Sequence, residues 1–306
     1  MAQRRSSVIS RGVAPFAPLA LALLMQNAVI PPSSGSDSET EEHGAGPAIC
    51  GDDIDGYQVC HSQYPTGCSK AGKYDADLNL LKNQLVPPGK ASEGVLGQSD
   101  FAKLEGKLPE GLSSRNHAQF HDDLGKLGEG HVFTVVAYLY YAIPGGAPES
   151  TNCGLLPLED IDFHIGIGFD PQLAAKLKGK QKLSTDEKSS LKPSSVIVEV
   201  TPHWRGRFEP DWSLDELKAA TGYQVRVVGQ LLVDNEHHNT KDDCGASGAT
   251  DKCWRSTVWE LHPVTQFQVC ATGTCDAASG DWKDLDDFAK TLTTSAPRQT
   301  KAGAGS

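Results

Sequence analysis

From His131 onward the chain reads as strands. H-V-F-T-V-V-A-Y-L-Y-Y-A-I is a long β-rich run that stops at Pro144-Gly145-Gly146. Next, Ile161, Phe163, Ile165, Ile167 and Phe169 alternate with Asp162, His164, Gly166, Gly168 and Asp170. Period two predicts a half-buried strand. Residues 171 to 193 are polar and Lys-rich and predict an exposed excursion. Ser195 to Thr201 is a third strand, stopped by Pro202.

Ser213 to Ala220 predicts a helix. Ser213 and Glu216 make a capping box, Leu214 and Leu217 give an apolar stripe, and Gly222 ends it. Tyr223 to Asp234 is a fourth strand, and Gly229 in its middle marks a bend or bulge. Ser256 to Cys270 is the last strand, closing against the earlier four. The order strand, strand, strand, helix, strand, strand predicts an all-β fold with minor α: a five-stranded OB-like Greek-key barrel over residues 131–270, with a helix between strands 3 and 4. An open α+β sheet is the competing arrangement.

The rest of the chain lacks this pattern. Arg4, Arg5 and Arg11 precede an apolar stretch from Val13 to Leu24, which predicts a signal peptide over residues 1–28 and hence export to the periplasm or beyond. An uncleaved N-terminal membrane anchor is the alternative; without the signal the mature chain has no expected span. Residues 29–47, rich in Pro, Ser, Gly and Glu, predict a disordered linker. Residues 48–130 form a Cys-containing, irregular or short-helical extension, with a short helix or an extended arm expected in D-L-N-L-L-K-N-Q and another short helix over 97–106. The tail, 271–306, is expected to hold one short helix around Leu285 to Leu292.

Composition narrows the function classes. The net charge of -11 over 306 residues argues against a general nucleic-acid binder, which needs a basic surface. Eight cysteines in an exported chain suggest disulfides. Cys244 pairs with Cys253 across a Gly/Ser/Asp-rich loop, and Cys270 with Cys275 after the last strand. Cys50, Cys60, Cys68 and Cys153 allow three pairings that the sequence does not separate. No C-x-x-C occurs, so a zinc ribbon or thioredoxin-like site is not expected.

D-F-H-I (Asp162 to Ile165), V-E-V-T-P-H (Val198 to His203), V-R-V-V-G-Q-L-L-V-D-N-E-H (Val225 to His237) and W-E-L-H-P-V (Trp259 to Val264) resemble blocks of a group of bacterial, often exported, OB-like proteins without an established activity. The resemblance covers about residues 131–270 and implies a barrel, but no catalytic assignment. His203 stands where that group suggests Arg, and Gln230 where it suggests Trp.

The candidate ligand- or metal-binding residues are Asp162, His164, Glu199, His203, His237, Glu260 and His262. Asp162 and His164 share a strand face, as do Glu260 and His262. Histidines and carboxylates on neighbouring strands can hold a divalent metal that activates water, or do acid–base chemistry without one. The competing explanation is structural: buried polar groups must find partners and tie strand to strand. Arg205, Arg207 and Arg255 are candidate anion contacts, and Trp204, Trp212, Trp254 and Trp259 belong to a groove, core or rim. No cofactor is expected, although a divalent metal is possible. Two function classes remain. One is an exported binding or structural module for a small molecule, oligosaccharide or protein. The other is a metal-assisted, nuclease-like hydrolase.

Overall fold

The computed structural model describes residues 76–146, 151 and 161–294. The expected signal segment, the linker and Cys50, Cys60, Cys68 and Cys153 lie outside the described residues. Five strands close a mixed barrel: β2 (Val132–Pro144), β3 (Phe163–Gly168), β4 (Val196–Val200), β5 (Gln224–Val233) and β6 (Trp259–Cys270). Around the barrel the order is β2-β3-β4-β6-β5 and back to β2. All pairs are antiparallel except β4 with β6, which is parallel. Two short strands lie outside the ring: β1 (Val95–Leu96) pairs parallel to β2, and β7 (Trp282–Asp284) pairs antiparallel to β6.

Alternation along each strand fills the barrel. Val198 and Val200, Trp259 and Leu261, Leu231 and Val233 point inward and are almost fully buried. The glycine read as a bulge is one: the β5–β6 register shifts on both sides of Gly229, where a Cβ would come within 2.9 Å of Leu261 Cβ and of the Pro263 carbonyl.

Three local expectations change. First, β3 is buried on both faces, not one. A Cβ on Gly166 or Gly168 would meet the ring of Tyr141 or Tyr140 at 2.3 or 2.0 Å. The glycines let two β2 tyrosines lie flat across the strand.

Second, the polar stretch 171–193 is not a plain excursion. It forms α4 (Pro171–Lys178) and α5 (Thr185–Leu191). Asp170 caps α4 ahead of a proline at its first position, and Ser184 with Glu187 makes a capping box for α5. Leu173 and Ala174 of α4 pack on Tyr140.

Third, Pro202 does not only stop a strand. It opens α6 (Pro202–Phe208), with Thr201 as N-cap accepting from the Trp204 amide. Two helices, α6 and α7 (Leu214–Ala219), therefore stand between β4 and β5.

The segment before the barrel is built of short helices, α1 (Ala76–Lys82), α2 (Gln98–Glu105) and α3 (His121–Leu127), and the chain after it of α8 (Leu285–Thr294). Disulfides join Cys244 to Cys253 and Cys270 to Cys275. Among the described residues no helix is long and apolar enough to cross a membrane.

Candidate functional site

Because Val198, Val200 and Leu261 point into the barrel, Glu199, Glu260 and His262 must point out of it. Such carboxylates would ordinarily sit in water. Here Glu199 is 1% exposed, and Glu260 and His262 are fully buried. The cover comes from α1, which carries Lys82, and from the loop between β5 and β6, which carries Arg255.

The side chains form one continuous network. His262 Nδ1 lies 3.2 Å from Glu199 Oε2 and 3.2 Å from Glu260 Oε1. His164, directly opposite Glu199 across β3 and β4, places Nε2 3.2 Å from Glu199 Oε1. Lys82 Nζ donates to Asp234 Oδ2 at 3.0 Å and lies 3.7 Å from Glu260 and 3.9 Å from Glu199. Arg255 donates through Nη1 to Asp234 (3.2 Å) and through Nη2 to Glu260 (2.6 Å), while its Nε donates to the Thr257 carbonyl. Beyond Asp234 stands His237, 3.7 Å from that carboxylate and 3.3 Å from Asp242, with its ring edge-on to Trp254.

Glu199 joins the two strand pairs seen in the sequence. It belongs with Asp162 and His164 in one group of mutually close donor atoms and with Glu260 and His262 in another. Asp162 is buried and accepts from Thr151 Oγ1 at 2.8 Å. Asp162, His164, Glu199, His237, Glu260 and His262 are thus brought together. His203 is not among these groups. It lies on α6, where burial pushes its pKa down against a hydrogen bond with the Asn83 main chain, and its Nδ1 has no hydrogen-bond partner.

Of the arginines named in the sequence, Arg255 is in the network. Arg205 stacks 3.6 Å over the Phe163 ring and bonds the Ile161 carbonyl. Trp204, Trp212 and Trp259 are core. Lys82 is the member the sequence concealed; its one signal is the four-residue spacing from Leu78 on the same helical face.

Each buried charge faces an opposite one. Burial alone would depress His262, but its contacts with Glu199 and Glu260 outweigh that and hold its pKa up at about 9. Lys82 and Arg255 are likewise held charged: burial opposes it, but the facing carboxylates win. Burial raises both Glu199 and Asp234, but His164, Lys82 and His262 outweigh it at Glu199, and Lys82, His237 and Arg255 outweigh it at Asp234, so both sit below the usual carboxylate range. The buried carboxylates Glu199, Asp234 and Glu260 therefore face Lys82, Arg255 and His262, with His164 also against Glu199 and His237 against Asp234. A buried charge is tolerated only when so paired.

This has chemical consequences. A divalent ion at Glu199, Glu260 and His262 would have to displace the proton that the two carboxylates hold on His262. It would also stand beside the Lys82 ammonium. Carboxylates held so far below neutrality are weak general bases.

Two further polar groups lie under the N-terminal helices. His117 bridges Asp77 and Glu129, each at 2.9 Å, and Glu129 accepts from the Val233 amide. Burial lowers its pKa, the two carboxylates raise it, and the result is about 9. The other group is Glu105 on α2 with His238 and Asp243 in the β5–β6 loop. No family model, curated protein or solved structure matches the chain.

Proposed function

We propose that the chain is an exported binding module built on an OB-like barrel, and that its His/carboxylate cluster is a structural tie, not a reaction centre. The ring order, with a parallel third and fifth strand and helices between the third and fourth, fits the OB arrangement. The two disulfides fit an oxidising compartment. One observation carries the functional reading: Lys82 and Arg255 already occupy the space between Asp234 and Glu260. The cluster fastens α1 and the β5–β6 loop over the barrel and leaves no member both unpaired and open to substrate.

Ligand contact is assigned to a polar groove elsewhere on the barrel. Two adjoining cavities, of about 270 and 480 Å³, share Gly89 and Gln266. One has Glu209, Asp284 and Trp212 in its wall, and the other Lys90, Thr134 and Arg226. Hydrogen-bonding groups of both charges along one groove suit an oligosaccharide or an extended peptide. The test is a thermal-shift screen of oligosaccharides and peptides, run beside phosphodiesterase and esterase assays with added divalent metal. A saturable shift that Gln266→Ala weakens, without turnover, is the expected result. Metal-dependent turnover abolished by His164→Ala would replace this reading with the hydrolase.

A further inference from the structure

The Glu105, His238 and Asp243 group differs from the barrel cluster in one respect: among the described residues, its one cationic partner is an imidazole, His238. Asp243 is fully buried. Its Oδ1 accepts from the Gly245 amide at 2.8 Å, but its Oδ2 has no hydrogen-bond partner. His238 Nδ1 faces that oxygen at 3.5 Å and also has none. Glu105 completes the group, its carboxylate fixed by hydrogen bonds from Thr257 Oγ1 (2.6 Å) and the Val258 amide (3.1 Å). The three donor atoms lie within 4.8 Å of one another. Among the described residues no lysine or arginine stands within ion-pair distance of Glu105 or Asp243. A buried carboxylate oxygen without a donor is costly. Two carboxylates converging on it with an imidazole invite a cation.

We propose that Glu105, His238 and Asp243 are a divalent-cation site of the zinc class, joining α2 to the β5–β6 loop. One imidazole nitrogen and two carboxylate oxygens suit zinc better than calcium or magnesium, which take oxygen-only sets. The scaffold is firm on both sides. Cys244, next to Asp243, is bonded to Cys253, and the Cys244 amide donates to the Arg255 carbonyl at 2.8 Å. Gly245 is required beside the site, since a Cβ there would come within 2.6 Å of Glu105 Cγ. His238 keeps 24% of its side chain exposed, so the ion has an entry side where water completes its shell. Two of the ligands lie on the loop and one on the segment that precedes the barrel. Bound metal would therefore hold the two together.

The test is zinc titration of the full-length protein after chelation and dialysis, by calorimetry, with metal counted by mass spectrometry. One zinc per chain is expected, together with a melting temperature that rises with zinc. His238→Ala removes the most exposed ligand. Glu105→Gln keeps an acceptor for Thr257. Each should weaken binding by more than about tenfold, whereas His164→Ala should leave it unchanged. Substoichiometric binding to the folded wild type would overturn the proposal. So would binding that survives both variants, or binding lost with His164→Ala alone.

Discussion

Lys82 Nζ donates to Asp234 Oδ2 at 3.0 Å across 152 residues of sequence, and both side chains are buried. This contact fastens the segment before the barrel to the end of β5. Removing one partner of a buried pair leaves the other charge unpaired, which costs about 3–5 kcal/mol. Lys82→Met should therefore lower the urea midpoint steeply. Lys82→Met combined with Asp234→Asn should recover part of the loss, because it removes a buried carboxylate left, among the described residues, with Arg255 and His237 as its only cations. Equal midpoints for wild type and Lys82→Met would show that the contact does not hold the segment.

Stability should have a defined pH window. Glu199 and Asp234 sit below their ordinary range in the folded state. Their contribution is present above about pH 4 and is lost as pH falls through the folded values. His117 and His262 are raised to about 9. Their contribution is complete below about pH 6.5 and is lost as pH rises through 9. Denaturant midpoints should stay high between about pH 5 and 6.5 and fall toward pH 9–10. His117→Gln, which removes the titrating charge and keeps a donor for one carboxylate, should flatten the alkaline fall. An alkaline limb as steep as the wild type's would remove His117 from the account.

The tyrosine-over-glycine contacts on β3 give a packing prediction. Gly168→Ala and Gly166→Ala each push a methyl into a ring, and overpacking costs about 1–3 kcal/mol. Gly280, with nothing within 4 Å of its would-be Cβ, is the control, and its alanine variant should stay within about 0.5 kcal/mol of wild type. Thermal unfolding of the three variants decides the matter. Equal melting temperatures would mean the tyrosines swing clear.

Much of the barrel was legible because its signals are local. Alternation in Ile161–Phe169, the glycine in β5 and the run ended by Pro144-Gly145-Gly146 each report on a few adjacent residues. Both described disulfides were legible for the same reason, as their cysteines flank short loops. The cluster was legible in half. Period two placed Asp162 with His164 and Glu260 with His262, but nothing local showed that Glu199 links them or that Lys82 neutralises them. The first depends on β4 lying between β3 and β6, and the second on how α1 docks, a contact between residues more than a hundred positions apart. The α6 helix was missed although its signal is local: Thr201-Pro202 is an N-cap followed by proline at N1. Glu105, His238 and Asp243 escaped for the long-range reason again.

The Cys244–Cys253 bond closes the stretch between Asp243 and Arg255, and the Cys244 amide donates to the Arg255 carbonyl. Replacing both cysteines by alanine should cost about 2–4 kcal/mol of stability. It should also weaken zinc binding more than the corresponding change at Cys270 and Cys275, which lie on the other end of β6. Equal effects of the two deletions on zinc affinity would separate the disulfide from the metal site.

The protonation state of His262 separates a structural tie from a reaction centre. A buried imidazole that balances Glu199 and Glu260 is a cation, whereas a metal ligand or a general base must be neutral. Nitrogen-15 NMR of the imidazole, assigned by comparison with His262→Gln, reads this state from pH 6 to 10. Both ring nitrogens protonated at pH 7, with titration near 9, is the result expected of a structural tie. A neutral ring at pH 7 would contradict the charge pairing and return the barrel face to metal-assisted chemistry.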